Sequence, residues 1–143
     1  MPYSYEYPRA AITTDIAVFG RLNERTFLLL IQRANDPFRE AWALPGGFLD
    51  MNEDLESCAK RELREETGLS IATLRQLHTF SAVDRDPRHR TISTVFVADL
   101  DTCPHVKAGD DARNAKWFDI ETLPDLAFDH AEIISMAIKR MGF

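Results

Sequence analysis

The residues of this chain whose types and spacing are best suited to chemistry are acidic and lie between positions 53 and 66. On an α-helix, which turns about 100° per residue, Glu62 and Glu66 fall on the same stripe as Leu55 and Ala59, and Glu65 lies beside them. An apolar stripe of this kind normally faces the protein core. Carboxylates one turn apart on it would repel each other unless a hard divalent cation with oxygen ligands lay between them. The pattern therefore predicts a metal site.

The alternative interpretation is a solvated acidic helix, since most charged runs are solvent-facing. The opposite side of the same helix already carries its own polar residues, Glu56, Ser57, Lys60 and Arg64. Because solvent has this separate face, the glutamates on the inner stripe favour the metal interpretation over the solvated one.

The elements that must position these acids are a glycine loop and a helix. Gly46 and Gly47 follow a proline, so the backbone can turn sharply there or approach a ligand closely. Asp50 or Asn52 is predicted to cap the helix that follows. Gly68 is predicted to end it.

This stretch resembles the Nudix box, the signature of the Nudix hydrolases. In that pattern a glycine is followed, after five residues, by Glu and, after seven more, by Arg-Glu, an aliphatic residue, any residue, Glu-Glu, any residue, Gly and an aliphatic residue. Every fixed place of the pattern is filled, by Gly47, Glu53, Arg61, Glu62, Leu63, Glu65, Glu66, Gly68 and Leu69. So many fixed positions at fixed spacing make a strong signal.

The resemblance implies hydrolysis of a nucleoside diphosphate linked to another moiety, with Mg²⁺, or alternatively Mn²⁺, as the cofactor. The implied metal ligands are the Gly46 carbonyl, Glu62, Glu65 and Glu66. The implied catalytic residues are Glu62, Glu65, Arg61, Glu53 and Asp111.

In these roles Arg61 would hold a box glutamate by a charge-assisted hydrogen bond. Glu53 would tie the loop to the helix or act near the metal. Many family members carry an acid just before a Trp-Phe strand, which matches Asp111 better than Asp110. The proton of the attacking water would pass to a box glutamate or to Asp111, and an ordinary turn cap is the alternative for Asp111.

The candidate substrate-binding residues are Arg33, Gly47, Phe48, Arg85 and Arg90. Arg33 ends an apolar strand and should emerge near the glycine loop, where it would contact a phosphate or form a surface salt bridge. Residues 83–90 form a charged loop whose arginines could meet phosphates or ribose, or could be a solvated hairpin tip. His130 is expected to be structural, and Trp42 to pack beneath the glycine loop.

Two further segments, residues 81–88 and 128–130, resemble the ADP-ribose pyrophosphatase branch of the family and its relatives that sense ADP-ribose. The implied reaction gives AMP and ribose 5-phosphate. The alternatives are a nucleoside triphosphate pyrophosphohydrolase and, from another class, a non-catalytic ADP-ribose sensor. Sensors usually carry a DNA-binding domain and often a degraded box. The complete box, and the lack of residues for a second domain, favour the enzyme.

With 143 residues, the chain is expected to form a single domain over residues 1–143, with residues 1–9 as an N-terminal arm. A net charge of -6 argues against a nucleic-acid partner, and no apolar run is long enough to span a membrane. Two cysteines without zinc-ligand spacing and the absence of a signal peptide fit a cytoplasmic protein. The expected partner is a nucleotide-derived small molecule, and the resemblance implies a homodimer as an option.

Apolar and β-branched runs predict strands at residues 10–19, 26–31, 71–82 and 91–100, and a further strand contains Trp117 and Phe118. The long third strand is expected to bend near Gln76. Ile134, Ala137, Ile138 and Met141 form the apolar stripe of a C-terminal helix. The fold class is therefore α+β. The resemblance specifies an α/β/α sandwich with a mixed sheet between the box helix and the C-terminal helix.

Overall fold

Apolar strands dominate the chain, and two amphipathic helices cover them. The computed structural model describes residues 2–109 and 112–143. In chain order its elements are β1 (Ala11–Leu22), β2 (Arg25–Arg33), β3 (Trp42–Ala43), β4 (Gly46–Phe48), α1 (Leu55–Thr67), β5 (Arg75–Phe80), β6 (Thr91–Asp99), β7 (Ala112–Asp119) and α2 (His130–Met141).

The sheet is mixed. Its main path runs β3-β2-β1-β6-β5, while β4 pairs with β1 and β7 pairs with β2. Strands β1 and β6 are parallel over their full paired length, and the other pairings are antiparallel. This arrangement places β4, which carries the two glycines, beside the first half of the central strand.

Successive side chains of β1 point to opposite faces of the sheet, as strand geometry requires. Ile16 packs in a buried cluster with Leu63 of α1. The next residue, Ala17, packs in a second cluster with Ile133 and Ile134 of α2. The sheet is therefore covered by one helix on each face, which confirms the predicted α+β sandwich.

Two predicted elements are corrected. The strand expected at residues 71–82 is shorter, because Ile71 and Leu74 leave the sheet to pack in the α1 cluster. Its register shifts between Gln76 and His78, where a bend was expected. The glycine loop is strand β4, which pairs with β1.

The start of α1 also differs from the prediction. Asp54 is the N-cap, and its carboxylate accepts a hydrogen bond from the Ser57 N–H at 2.9 Å. Asp50 lies in the preceding turn, where its N–H donates to Glu53 Oε1 at 3.0 Å. The helix ends at Gly68, as predicted, in the left-handed conformation with φ of 75°.

At the N-terminus, Tyr3, Tyr5 and Tyr7 are exposed and precede the first strand. Whether residues 1–9 act as an arm stays a prediction. Within residues 2–109 and 112–143, neither helix is long and apolar enough to cross a membrane.

Candidate functional site

A cleft of about 340 Å³ opens where β4, the inner face of α1, the loop before β6 and the start of α2 meet. Its charged and aromatic lining includes Asp15, Arg33, Phe48, Glu62, Glu66, Arg85, Asp86, Arg88, Phe128 and His130. The cleft therefore contains acids from α1 and arginines from β2 and the loop.

Both glycines of β4 lie in close contact with neighbouring atoms, which are mainly backbone at Gly46 and the end of the Glu62 side chain at Gly47. A Cβ placed on Gly46 would lie 2.1 Å from the carbonyl oxygen of Thr14. A Cβ on Gly47 would lie 2.4 to 2.6 Å from the carboxylate atoms of Glu62. Strand β4 thus packs directly between the central strand and the acidic side of α1.

Two of the three predicted metal-binding glutamates reach the cleft. Glu66 is only 8% exposed, and its Oε1 accepts a hydrogen bond from the Gly46 N–H at 2.7 Å. Glu62 lies against Gly47 and lines the same cleft. The side chain of Glu65 is 56% exposed and pairs with Arg61 at 3.1 Å, so it lies outside the cleft lining.

Arg61 connects the helix to the preceding turn and to β4. Its guanidinium donates to both carboxylate oxygens of Glu53, at 2.6 and 2.9 Å, and to Glu62 at 2.8 Å. It also donates to the Phe48 carbonyl at 3.1 Å. The hydrogen bonds from Arg61 lower the pKa of Glu53 to about 2. The same contacts raise the pKa of Arg61, so this pair is fully charged near neutral pH.

Asp15 and His130 form a buried polar pair in the cleft that the sequence analysis did not identify as functional. The Leu44 N–H donates to His130 Nδ1 at 3.0 Å, which places the ring proton on Nε2. Burial lowers the pKa of His130, so the ring is neutral. Asp15 lies 3.7 Å from Nε2 and accepts a hydrogen bond from Ser93 at 2.5 Å. An acid directly before the apolar run Ile16 to Phe19 was the available signal for Asp15.

Arg85 and Arg90, the two arginines of the charged loop named above as candidate substrate-binding residues, have different surroundings. Arg85 lines the cleft, but its side chain is 5% exposed and forms two hydrogen bonds to Asp129, at 2.7 and 2.9 Å. This pairing explains why Asp129 makes no side-chain cap at the start of α2. Arg90 is exposed, donates to the Ala82 carbonyl and is not part of the cleft lining.

Arg33 reaches the cleft from the end of β2. Its Nε donates to the Pro37 carbonyl at 2.8 Å, and its guanidinium lies 4.9 Å from the centre of the Phe128 ring. Burial, and then the nearby charge of Arg88, lower the pKa of Arg33. Among the described residues, Arg33 is therefore positioned by the Pro37 carbonyl and the Phe128 ring.

Arg88, the third arginine of the charged loop that the sequence suggested could meet phosphates or ribose, forms an ion pair with Asp86, which the sequence analysis did not predict. Arg88 donates to both carboxylate oxygens of Asp86, at 2.8 and 3.1 Å. Burial alone would raise the pKa of Asp86, but the hydrogen bonds from Arg88 outweigh it and lower that pKa to about 2. The buried Asp86 thus keeps its charge and holds Arg88 in the cleft.

The oxygen donors at the glycines suit a hard cation. Within residues 2–109 and 112–143, no three His, Cys, Asp or Glu side chains converge on one point. Mg²⁺ typically takes only one or two carboxylates and completes its shell with water and substrate phosphates. Glu62 and Glu66 fit that requirement. Asp111 and Asp110 lie outside the described residues, so the predicted general base there stays a prediction.

The chain matches the NUDIX domain family over residues 12–137. It is 46% identical over 119 residues to an ADP-ribose pyrophosphatase of Methanocaldococcus jannaschii, covering 83% of this chain and 70% of that one. It is 34% identical over 141 residues to the ADPR responsive transcriptional repressor NtrR of Acinetobacter baylyi, covering 96% of this chain but 56% of the repressor.

Solved structures show the same likeness. The NUDIX domain of Shewanella oneidensis NrtR complexed with ADP ribose has a TM-score of 0.89 and 30% identity, with 94% of this chain and 90% of that chain covered. A bifunctional NMN adenylyltransferase/ADP ribose pyrophosphatase from Francisella tularensis, complexed with AMP and a manganese ion, has a TM-score of 0.83 and 30% identity. There the match covers 95% of this chain and 43% of the other.

The fold and the acidic cleft define a Nudix domain, and the chain belongs to the NUDIX family. The relatives named above include an enzyme with the name ADP-ribose pyrophosphatase and a repressor that responds to ADPR.

Proposed function

We propose that the protein is a metal-dependent pyrophosphohydrolase that cleaves ADP-ribose to AMP and ribose 5-phosphate. The observation that carries this proposal is the placement of Glu62 and Glu66, from a complete Nudix box, beside the two glycines of a cleft that also holds arginines. The likeness to an ADP-ribose pyrophosphatase, at 46% identity, supports the choice of substrate.

The chemistry is the addition of water to one phosphorus of the diphosphate, with cleavage of its bond to the bridging oxygen. A divalent cation held by Glu62, Glu66 and the Gly46 carbonyl would neutralise charge on the phosphate oxygens and acidify a bound water. Arg61 fixes the Glu62 carboxylate by a hydrogen bond of 2.8 Å. The Gly46 N–H fixes that of Glu66. A box glutamate or Asp111 accepts the proton of the attacking water.

Mg²⁺ is the proposed cation, with Mn²⁺ as a substitute. The hard oxygen donors of Glu62 and Glu66 support a cation of this type. The manganese ion in the Francisella tularensis neighbour supports a divalent metal more generally. We assign Glu65 to the edge of this site, because its side chain is largely exposed and is not part of the cleft lining.

A second candidate function is non-catalytic sensing of ADP-ribose, which the likeness to the repressor NtrR favours. The complete box supports the enzyme over this candidate, because a sensor needs no acids arranged for metal-assisted hydrolysis. Nucleoside triphosphate pyrophosphohydrolysis is the alternative substrate assignment. Three further predictions are a homodimer, the absence of a nucleic-acid partner and a cytoplasmic location. The two free cysteines support the location.

The test is hydrolysis of a substrate panel, with products separated by chromatography. ADP-ribose, NADH, diadenosine polyphosphates and nucleoside triphosphates are each incubated with the protein and Mg²⁺. We expect the largest kcat/KM for ADP-ribose, with AMP and ribose 5-phosphate in equal amounts. A larger kcat/KM for nucleoside triphosphates would instead assign the protein as a nucleoside triphosphate pyrophosphohydrolase. Tight binding of ADP-ribose without turnover under Mg²⁺ or Mn²⁺ would establish the sensor.

A further inference from the structure

Arg88 lines the cleft and contacts two aromatic rings. Its guanidinium carbon is 5.7 Å from the centre of the Phe48 ring and 5.5 Å from that of the Phe128 ring. Phe48 ends β4, while Phe128 precedes α2, so the two rings come from distant parts of the chain. Together with the two hydrogen bonds to Asp86, these rings restrict both the position and the plane of the guanidinium.

Arg88, Glu62 and Glu66 line the same cleft, and Phe48, the ring that Arg88 contacts, connects the two sides. Phe48 directly follows Gly47, and Gly47 lies against the carboxylate of Glu62. The Phe48 carbonyl also accepts a hydrogen bond from Arg61, so the position of this ring is tied to α1. The cleft therefore presents a fixed cation together with the carboxylates proposed to hold the metal.

Three arginines belong to the described cleft lining, and Arg88 is the most exposed of them. The side chain of Arg85 is 5% exposed, and its Nε and Nη2 both donate hydrogen bonds to the Asp129 carboxylate. Arg33 is turned toward the Pro37 carbonyl. The side chain of Arg88 is 37% exposed, although it pairs with a nearly buried Asp86. It can therefore bind a ligand anion while Asp86 keeps it in place.

A diphosphate bound to a divalent cation still has oxygens that need hydrogen-bond donors. A planar guanidinium supplies such donors in fixed directions, which suits phosphoryl oxygens better than a flexible ammonium does. We propose that Arg88 is a specificity-determining residue that binds the diphosphate of the substrate, with Asp86, Phe48 and Phe128 as its positioning residues. This inference rests on the proposed function in taking a nucleoside diphosphate derivative as the ligand.

The experiment measures binding of α,β-methylene-ADP, a diphosphate whose bridge is not hydrolysed, and of adenosine, by calorimetry in Mg²⁺. We expect Arg88→Gln to weaken binding of the methylene diphosphate roughly 10- to 100-fold, the scale of a lost charge-assisted hydrogen bond. Adenosine affinity should change by less than about twofold, because it carries no phosphate for Arg88 to bind. Asp86→Asn should weaken only the diphosphate, and by a smaller factor.

Arg75→Gln is the matched control, because Arg75 is an exposed arginine on β5 outside the cleft lining. It should leave both affinities unchanged. Arg88→Lys keeps the charge without the planar fork and should lose roughly 3- to 10-fold for the diphosphate, so it serves if the glutamine variant does not fold. Unchanged diphosphate binding in a folded Arg88 variant, or equal weakening of both ligands, overturns the inference.

This test is separable from that of the proposed function. Selective loss of diphosphate binding in a protein that does not hydrolyse ADP-ribose would uphold the role of Arg88 and reject the substrate. Hydrolysis of ADP-ribose by the wild type, with unchanged diphosphate binding by Arg88→Gln, would uphold the substrate and reject the role of Arg88.

Discussion

Gly47 lies directly against the carboxylate of Glu62, with room for a hydrogen atom but not for a methyl group. A Cβ at Gly47 would come within 2.4 Å of the Glu62 Cδ. Gly47→Ala should therefore displace this carboxylate while leaving the fold intact. We expect kcat to fall by about 100-fold, the scale of a misplacement of about 1 Å in an active site. Steady-state kinetics with ADP-ribose and Mg²⁺ measure it.

The control for Gly47 is Gly68, which ends α1 with φ of 75° and has open space where a Cβ would lie. Gly68→Ala should cost about 1 kcal/mol of folding free energy because an alanine is strained in that conformation. Its activity below the unfolding transition should match the wild type. Equal kcat for the two alanine variants would contradict the importance of the contact between Gly47 and Glu62.

Glu62 provides a direct test of the metal site. Glu62→Gln keeps the size of the side chain but removes its charge, so the apparent affinity for Mg²⁺ should fall. We expect kcat/KM to fall by at least about 100-fold, since several kcal/mol of charge stabilisation would be lost. Glu56→Gln is the matched control, because Glu56 is exposed on the same helix and pairs with Lys60. Wild-type turnover by Glu62→Gln across a Mg²⁺ titration would refute the assignment.

The ion pair of Arg85 and Asp129 should contribute to stability as well as to the shape of the cleft. Arg85→Gln leaves Asp129 without its bidentate partner, and we expect a loss of about 3 kcal/mol in the free energy of unfolding. Denaturation in urea measures this loss. Asp129→Asn should give a similar loss, and the double variant less than the sum of the two.

Arg90→Gln is the control for that pair, because Arg90 belongs to the same loop but is exposed. It should change the free energy of unfolding by no more than about 0.5 kcal/mol. An equal effect at both arginines would show that the structural difference between them has no energetic consequence.

Asp86 should make stability depend on pH in the acid range. Its pKa is about 2 in the folded protein, below the value of about 3.9 for an unfolded chain. The stabilisation, about 2 kcal/mol, is therefore complete above roughly pH 5 and is lost as the pH falls toward 2. In urea unfolding from pH 7 to pH 2, the free energy of unfolding of Asp86→Asn should fall less steeply with decreasing pH than that of the wild type. Asp84→Asn, an exposed neighbour in the same loop, should keep the wild-type slope.

Local spacing was sufficient to predict the helix with its inward glutamates and the α+β class, and the family resemblance implied the sheet between two helices. Local spacing did not predict β4, because the pairing of three residues with β1 depends on a strand distant in sequence. Nor did it predict that Glu65, unlike Glu62 and Glu66, would lie outside the cleft lining, because segments distant in sequence form the other walls of the cleft.

The sequence by itself determined the family signature and the side of α1 that carries Glu62 and Glu66, because helical periodicity is a local property. Only the tertiary structure decided which other side chains share the cleft. Arg85 meets Asp129 and Arg88 meets Phe48 across long separations in the chain. The pairing of strands and the packing of α2 set those distances, and neither can be calculated from the spacing of residues within one segment.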